Sequence, residues 1–394
     1  AFLYIKTYNE INIPLLIGGK INMVVGNHRN AQLLISESAV QHNINQERKR
    51  LKDSDNLFVV VKANGYGHGA VNIAKIAENA GADGFCVAIL DEALELREAG
   101  IEKPVLVLGL TDVQYVSIMA KNNISVTISS LEWLKEADEL LAHKDLPKLN
   151  VHVGLDTGMG RIGFQTKDEL SEVMDYLKTS PNLCFEGIYT HFSKADSKDE
   201  EYFNLQVERF NDLISVIDTL PKYVHVSNSA TSLWHASCNG NMIRFGVATY
   251  GLNPSGGELT EPFDLKPAMS LTSEIVYCKK IEAGRAVGYG ATYVAPAAEW
   301  IGTVPVGYAD GIVRKLQGFK LLVNGKFCPI VGRICMDQLM IRLDEPVPVG
   351  TKVTIVGQDG EENISLQDIA TYCDTIHYEV ACLFTNRLPR IIVK

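Results

Sequence analysis

The sequence predicts an α/β protein in which a (β/α)8 barrel of the TIM type is followed by a smaller, mainly β C-terminal domain. Eight short apolar runs alternate with amphipathic stretches between residues 57 and 247, as is typical of a parallel sheet that is buried on both faces. Eight such units match a (β/α)8 barrel. A doubly wound open sheet is the alternative, but no G-x-G-x-x-G turn follows a predicted strand.

The eight predicted barrel strands are short runs of mainly apolar residues, and helical patterns separate most of them. The strands are Leu57–Lys62, Gly84–Ala88, Pro104–Gly109, Ile124–Ile128, Leu149–Leu155, Cys184–His191, Tyr223–Ser227 and Met242–Val247. The predicted helices include Val71–Ala80, Asp91–Ala99, Leu131–Leu141 and Glu200–Thr219.

The pattern changes at Asn253–Gly257, a turn-rich segment that we interpret as a domain boundary. Beyond it, the runs are β-branched and separated by Gly or Pro, which predicts an all-β arrangement. One helix is predicted at Ser365–Tyr372, with Ser365 as its N-cap. The predicted β-strands include Leu271–Cys278, Trp300–Pro305, Leu321–Val323, Cys328–Val331 and Lys352–Val356.

We therefore divide the 394 residues into three parts. Residues 1–22 are interpreted as an N-terminal extension, because they lack the features of a signal peptide and precede Met23, which resembles a natural start. Residues 23–255 are assigned to the barrel, with its first strand as a candidate to join the β-domain. Residues 256–394 are assigned to the β-domain.

The composition excludes several classes of function. Asp and Glu number 47 against 37 Lys and Arg, a net charge of −10, which disfavours nucleic acid and anionic membrane surfaces as partners. The eight cysteines form no C-x-x-C pair, so we predict neither a metal site nor a redox motif. A cytoplasmic protein without a membrane partner is the default expectation.

In a (β/α)8 barrel, active groups lie at the C-terminal ends of the strands. The first predicted strand ends at Lys62, whose ammonium group is costly to desolvate. Such a lysine either extends to water or has a depressed pKa that suits Schiff-base chemistry. The last two strands lead into Ser227–Ser229 and Arg244–Val247, which have the small residues and hydroxyl of a phosphate site. Together these ends suggest pyridoxal 5'-phosphate (PLP) with Arg244 near its pyridine nitrogen; a Schiff-base aldolase acting on a phosphorylated sugar is the alternative.

Eight longer motifs follow one another in an order that resembles the alanine racemase family, from about Met23 to the C-terminus. The predicted β-domain distinguishes this chain from PLP-binding proteins that consist of a barrel alone. The motifs of this chain also differ from those of decarboxylases that have the same two-domain plan. The motifs are Val59–Gly69 (VVVKANGYGHG), Asp156–Gly163 (DTGMGRIG), Thr190–Phe192 (THF), Ser227–Ala230 (SNSA), Arg244–Gly251 (RFGVATYG), Gly288–Tyr293 (GYGATY), Pro305–Gly311 (PVGYADG) and Gly332–Gln338 (GRICMDQ).

The resemblance implies two acid–base groups. Lys62 would hold PLP as a Schiff base and, once the substrate amine displaces it, act as a base on one face of the substrate Cα. Tyr289 would act on the opposite face, tuned by His191 and Arg244 in a hydrogen-bonded chain that reaches the pyridine nitrogen. Because arginine keeps its proton, that nitrogen would stay unprotonated. The ring is then a weaker electron sink, which suits racemisation better than side reactions.

The resemblance also assigns binding roles. Arg161 would pair with the substrate carboxylate and the cofactor phenol oxygen, the backbone N–H of Met336 would help to bind the carboxylate, and Tyr308 would restrict the entrance. In place of a lysine that the family usually has two residues before Asp156, this chain has Gly154. How Arg161 is held is therefore an open question. The other cofactor-binding residues would be Tyr66, His191, Asn228, Ser229, Arg244, Gly246, Val247 and Tyr378.

In this family Tyr289, Tyr308 and Met336 reach the cofactor of the other subunit, so the resemblance implies a head-to-tail homodimer with composite sites. The resulting expectation is a PLP-dependent racemase that interconverts L- and D-alanine and supplies D-alanine for bacterial peptidoglycan. A serine or broad-specificity amino-acid racemase of the same fold is the closest alternative, since apolar pockets reject an added hydroxyl only weakly. A non-catalytic PLP carrier and a PLP-dependent decarboxylase are further alternatives.

Overall fold

The computed structural model describes residues 24–236 and 240–394 of the chain. Its first strand, β1 (Gln32–Ser36), precedes the barrel and leads directly into the helix Glu37–Arg48. The proposed N-terminal extension, residues 1–22, lies outside the described residues.

Eight parallel strands of the described chain form the predicted barrel. They are β2 (Asn56–Val60), β3 (Gly84–Val87), β4 (Val105–Leu110), β5 (Ile124–Ile128), β6 (Leu149–Gly154), β7 (Leu183–Tyr189), β8 (Tyr223–His225) and β9 (Met242–Phe245). Their hydrogen-bonded order is β8-β7-β6-β5-β4-β3-β2-β9. A parallel bridge between Ser227 and Ile243 brings the two edges of this sheet together. The predicted fold class is confirmed, and each predicted strand has a counterpart within a few residues.

Helices connect the barrel strands and bury one face each. In Leu131–Leu141, which agrees with its prediction, Leu134, Ala137 and Leu141 recur at helical spacing and are buried. The predicted helix Glu200–Thr219 is shorter than expected and ends at Ile214. No helix within the described segments is long and apolar enough to cross a membrane. The remaining helices of this part are Ala70–Asn79, Leu90–Glu98, Val116–Lys121, Lys167–Thr179, Glu201–Ile214 and Ser229–Trp234.

The C-terminal part is mainly β, as predicted. The predicted run Leu271–Cys278 is divided between two strands by a bend at Val276. In the larger sheet β1 lies between two C-terminal strands, antiparallel to β10 and parallel to β20. The strands are β10 (Met269–Glu274), β11 (Tyr277–Ile281), β12 (Ala286–Val287), β13 (Tyr293–Val294), β14 (Glu299–Val304), β15 (Lys320–Val323), β16 (Lys326–Pro329), β17 (Leu339–Leu343), β18 (Lys352–Asp359), β19 (Glu362–Ile364) and β20 (Arg390–Val393).

Two helices of the C-terminal part lie near its end. The first, Leu366–Cys373, begins at the predicted N-cap, where the Ser365 hydroxyl accepts a hydrogen bond from the Asp368 N–H at 3.0 Å. The second, His377–Leu383, was not predicted, and its N-cap makes no side-chain hydrogen bond that could have signalled its start. It packs on the chain that follows Lys62 so closely that a Cβ at Gly67 would lie 2.1 Å from the Ala381 carbonyl oxygen.

A buried carboxylate fastens the β-domain loop that carries Tyr308. Asp310 is fully buried and accepts hydrogen bonds from Arg29 at 3.0 Å and from the Gly307 N–H at 3.0 Å. The guanidinium of Arg387 lies 3.4 Å from the same carboxylate. This carboxylate therefore connects the start of the described chain, the Tyr308 loop and the C-terminal segment.

We predict that Asp310→Ala lowers the free energy of unfolding by about 3 kcal/mol, because it leaves buried donors and a cation without their acceptor. Urea unfolding followed by circular dichroism measures this loss. The control is Asp337→Ala, which removes a more exposed partner of the same Arg387 and should cost less than about 1 kcal/mol. Equal losses in the two variants would contradict the role given to Asp310.

Candidate active site

The backbone changes direction sharply at the predicted catalytic lysine. Strand β2 ends at Val60, two residues earlier than predicted, and Lys62 begins a turn with left-handed backbone conformation. The φ angles of residues 63–66 are 52°, 53°, 62° and 50°. Three of these four residues are not glycine, so the turn is strained, as backbone at functional sites often is.

Hydrogen bonds from side chains connect the turn to the segments around it. Glu92 accepts the Ala63 N–H at 2.6 Å and the Ala88 N–H at 2.7 Å, which joins the turn to the end of β3. Asn64 Oδ1 accepts the Ala70 N–H at 3.0 Å. Glu92 is not among the residues predicted from the sequence, because an acidic residue in the first turn of a helix normally indicates only capping.

The electrostatic surroundings of Lys62 favour its neutral form. Burial, followed by the positive charge of Arg161, lowers the pKa of the Lys62 amine. A neutral amine is the form that attacks an aldehyde. Of the two alternatives for a lysine at this strand end, the geometry therefore favours a nucleophile.

Lys62 lines a cavity of about 480 Å³ at the C-terminal mouth of the barrel. This volume is within the range of cofactor sites. Its lining also includes the apolar side chains of Val60, Leu108 and Met159. Nine of the predicted site residues line this one cavity: Lys62, Tyr66, His191, Asn228, Ser229, Arg244, Gly246, Val247 and Tyr378.

One side of the cavity has the character of an anion pocket. The Ser229 hydroxyl accepts the Gly246 N–H at 2.9 Å, so its own proton can point into the cavity. A Cβ at Gly246 would lie 2.9 Å from the Tyr66 hydroxyl and 3.7 Å from that of Ser229, so glycine is what lets the backbone approach these hydroxyls. Burial raises the pKa of Tyr66 and of Tyr378. Both phenols therefore keep their protons and can donate hydrogen bonds to an anion.

Asn228 lines the same cavity and caps the helix that carries Ser229. It is the N-cap of the helix Ser229–Trp234, and its Oδ1 accepts the Thr231 N–H at 2.9 Å and the Thr231 hydroxyl at 3.1 Å. Its Nδ2 lies 3.4 Å from the Phe192 carbonyl oxygen, to which it donates. These contacts fix the start of the helix and with it the position of Ser229.

Arg244 is a buried cation that also lines the cavity. Its Nη1 donates to the carbonyl oxygen and to Nδ1 of His225, at 2.9 and 2.6 Å, and its Nη2 donates to the Thr190 carbonyl oxygen at 2.9 Å. Nη2 also lies 3.4 Å from His191 Nδ1. Burial, followed by the charge of Arg244, lowers the pKa of His191 far below its usual value. Its ring is therefore neutral.

The Nε–H of Arg244 is the donor that remains for a ligand. Within residues 24–236 and 240–394, no hydrogen bond joins Nε to another group, and Arg244 lines the cavity. A hydrogen-bond acceptor in the cavity could therefore meet a guanidinium whose other nitrogens are already fixed.

Arg161 lies close enough to Lys62, His191 and Arg244 for its positive charge to lower their pKa values, but its side chain does not line the cavity. The loop that carries it is held through its backbone. Asp156 Oδ1 accepts the N–H groups of Gly158 and Gly160, both at 3.0 Å.

The helix Glu201–Ile214 braces the same loop from outside the barrel. The Tyr202 hydroxyl donates to the Gly158 carbonyl oxygen at 2.7 Å, and Arg209 donates to that of Thr157 at 3.1 Å. Beside the loop, a Cβ at Gly154 would lie 3.6 Å from the Tyr189 ring. Tyr189 therefore borders the space next to Gly154.

The other three predicted residues lie on the β-domain surface. Tyr289, Met336 and Tyr308 are 70%, 52% and 42% exposed, respectively, and none of them lines the cavity of this chain. A single chain therefore does not bring these three side chains to the cavity that Lys62 lines.

These features define a class of protein: a barrel with a C-terminal β-domain, in which a lysine of lowered pKa, a pocket suited to an anion and a buried arginine meet at the C-terminal mouth. Comparison with known proteins places it further. The family models for the N-terminal and C-terminal domains of alanine racemase match residues 35–254 and 268–392. The chain belongs to the alanine racemase family.

Individual relatives cover nearly the whole chain. Alanine racemase of Pediococcus pentosaceus is 58% identical over 369 residues, which are 94% of this chain and 98% of that protein. The crystal structure of alanine racemase from E. faecalis is 54% identical with a TM-score of 0.92, covering 94% of this chain and 100% of that one. Histidine racemase from Leuconostoc mesenteroides is 36% identical with a TM-score of 0.90, and the shares covered are also 94% and 100%.

Proposed function

We propose that this chain is a PLP-dependent racemase that interconverts L-alanine and D-alanine. One observation carries the proposal: Lys62, whose pKa is lowered, the residues of the anion pocket and Arg244 all line the same cavity. Membership of the alanine racemase family and identities above 50% to relatives of that name support the substrate.

The residues of the cavity fit PLP group by group. Lys62 would bind the aldehyde carbon, and the hydroxyls of Tyr66, Ser229 and Tyr378, with the backbone of Gly246 and Val247, would bind the phosphate. Arg244 would donate its Nε–H to the pyridine nitrogen. Bound PLP supplies an electron sink that acidifies the Cα–H bond of the amino acid.

Racemisation needs a proton acceptor on each face of Cα. Lys62 would take or return the proton on one face. Tyr289 of the partner subunit would do so on the other face, tuned by His191 and Arg244 in a hydrogen-bonded chain that would reach the pyridine nitrogen. Because Arg244 stays protonated, the pyridine nitrogen would not gain a proton, and Cα would be reprotonated before side reactions occur.

The substrate would be held by groups at the rim of the cavity. Arg161 would pair with its carboxylate, and the backbone N–H of the partner's Met336 would add a hydrogen bond. The partner's Tyr308 would narrow the entrance, which favours a small side chain.

The proposal includes a homodimer, because Tyr289, Tyr308 and Met336 are exposed on the β-domain and do not line the cavity of their own chain. A head-to-tail pair would place them over the cavity of the partner and bury their apolar surface. We further propose a cytoplasmic enzyme whose D-alanine serves bacterial peptidoglycan.

A wider substrate range is the second candidate function, and the likeness to histidine racemase favours testing it. The purified holoenzyme is incubated with L-alanine, L-serine or L-histidine, and the D-isomer and released CO2 are measured. We expect D-isomer mainly from L-alanine, and no CO2. Faster conversion of serine or histidine than of alanine would show that the preferred substrate is that amino acid. Release of CO2 would indicate a decarboxylase, and the absence of any turnover would indicate a non-catalytic PLP carrier.

Mixed dimers test the two acid–base groups together with the composite site. Lys62→Ala and Tyr289→Phe should each be nearly inactive alone. Mixed by joint refolding, they should recover about a quarter of wild-type activity, because half of randomly paired dimers are mixed and each then has one intact site. If Lys62 and Tyr289 act within one chain, no mixture contains an intact site and no activity returns.

The anion pocket predicts a specific effect of a single methyl group. Gly246→Ala places a Cβ against the Tyr66 hydroxyl and should weaken PLP binding about tenfold, the scale of overpacking a tight site. Absorbance titration of the PLP-free chain measures the affinity. The control, Gly154→Ala, meets only ordinary contacts of 3.5 Å or more and should bind PLP as the wild type does. Unchanged affinity in Gly246→Ala would contradict the assignment of the pocket.

A further inference from the structure

The barrel interior contains three polar side chains that neither the predicted motifs nor the proposed reaction uses. His152 of β6 and His225 of β8 are 1% and 0% exposed, and Glu186 of β7, which lies beside His152, is largely buried. Each interrupts an apolar strand, which is unusual because a buried polar group is costly unless it is hydrogen-bonded. All three are connected to Arg244.

The connection is a continuous chain of hydrogen bonds. Arg244 Nη1 lies 2.6 Å from His225 Nδ1, His225 Nε2 lies 2.8 Å from His152 Nδ1, and His152 Nε2 lies 3.1 Å from Glu186 Oε2. Ser125 donates to the same carboxylate oxygen at 2.5 Å. These hydrogen bonds therefore connect Arg244, which lines the cavity, to Ser125 on β5 through side chains of β8, β6 and β7.

The two ends of this chain determine the direction of every hydrogen bond. An ionised carboxylate can only accept, so His152 must carry its proton on Nε2 and present a lone pair at Nδ1. His225 must then donate from Nε2, which leaves its Nδ1 as the acceptor for Arg244. Burial lowers the pKa of both imidazoles, so both rings are neutral and each has one tautomer.

The carboxylate end is consistent with this assignment. Burial raises the pKa of Glu186, but the hydrogen bonds from His152 and Ser125 outweigh it, and the net effect lowers the pKa. Glu186 is therefore an anion that faces the cation of Arg244 across two neutral rings. This arrangement balances a buried charge that would otherwise be costly.

The backbone of β7 is irregular where it meets this series of hydrogen bonds. The pairing of β6 with β7 shifts by one residue, from Val151 opposite Phe185 to His152 opposite Gly187, which leaves Glu186 at an irregularity. Such bulges redirect a side chain. At Gly187 a Cβ would lie 2.3 Å from His152 Nδ1, so only glycine leaves room for the ring.

We propose that His152 and Glu186 are positioning residues for Arg244, because they hold His225 in the tautomer that accepts a hydrogen bond from the guanidinium. This inference rests on the proposed function, in which Arg244 faces the cofactor ring. Without Glu186 the two imidazoles can reverse their hydrogen bonds, and His225 then presents an N–H to Arg244. The guanidinium would then lose one of its acceptors, His225 Nδ1, and with it part of what fixes its orientation.

The first experiment reads the tautomers in the wild-type chain. Histidine is labelled with nitrogen-15 in the full-length protein, with and without PLP, and the signals of His152 and His225 are assigned with single His→Gln variants. We expect both rings to be neutral, each protonated at Nε2 and not at Nδ1. A cationic ring, or protonation at Nδ1 in either residue, would overturn the proposal without any need for an inactive variant.

The second experiment changes Glu186, which lies near the end of the hydrogen-bond series that is remote from Arg244. Glu186→Gln keeps an acceptor in place but adds a donor, so both directions of the chain become possible. We expect a second tautomer in the spectra of His152 and His225. We also expect kcat to fall about tenfold, the scale typical of outer-shell partners, with little change in the KM for alanine. The Ser125→Ala variant should show a smaller fall in kcat.

Glu47→Gln is the matched control, because Glu47 is another buried carboxylate that binds a serine hydroxyl and a cation. It should leave kcat and the histidine spectra unchanged, even if the melting temperature falls. Wild-type tautomers and kcat in Glu186→Gln would refute the positioning role. Failure of the proposed function has a different signature, since the wild-type chain itself would then not racemise alanine.

Discussion

The guanidinium of Arg244 is a positive charge enclosed by the barrel, and the arrangement of the site follows from the hydrogen bonds that this charge requires. An uncompensated cation at such depth would cost several kcal/mol. Its acceptors are the carbonyl oxygens of Thr190 and His225, which lie just after β7 and at the end of β8. These contacts hold β7, β8 and β9 in register where the sheet closes. They thereby place His191, Ser229 and Gly246 around one cavity.

The second constraint is the left-handed turn after Lys62. It reverses the chain within four residues, so that the Lys62 amine and the Tyr66 hydroxyl face the same cavity. The turn lies so close to the helix His377–Leu383 that Gly67 has no room for a side chain. That contact brings Tyr378 to the mouth of the barrel, so the C-terminal part contributes to the lining of the cavity, beyond its role in the proposed dimer.

The sequence predicts the parts of the fold that depend on local pattern. Eight apolar runs indicate the barrel, and the residues at their ends indicate Lys62 and the anion pocket, because strand ends of a barrel meet at one mouth. The sequence analysis named the first strand as a candidate to join the β-domain, but its pairing with β10 and β20 could not be derived in this way, since a strand does not encode its distant partner. The histidines of β6 and β8 lie in predicted strands, but their hydrogen bonds depend on how three strands come together. The roles of Tyr289, Tyr308 and Met336 came from resemblance alone, because they concern a second chain.

The central claim is that Arg244 is held in a fixed orientation and donates its Nε–H to the pyridine nitrogen of PLP, which then stays unprotonated. Nuclear magnetic resonance of the holoenzyme, reconstituted with PLP labelled with nitrogen-15 in its ring, tests this claim most directly. The account predicts the chemical shift of a neutral pyridine that accepts a hydrogen bond, unchanged across the pH range in which the protein is folded. The shift of a protonated pyridinium near neutral pH would contradict it.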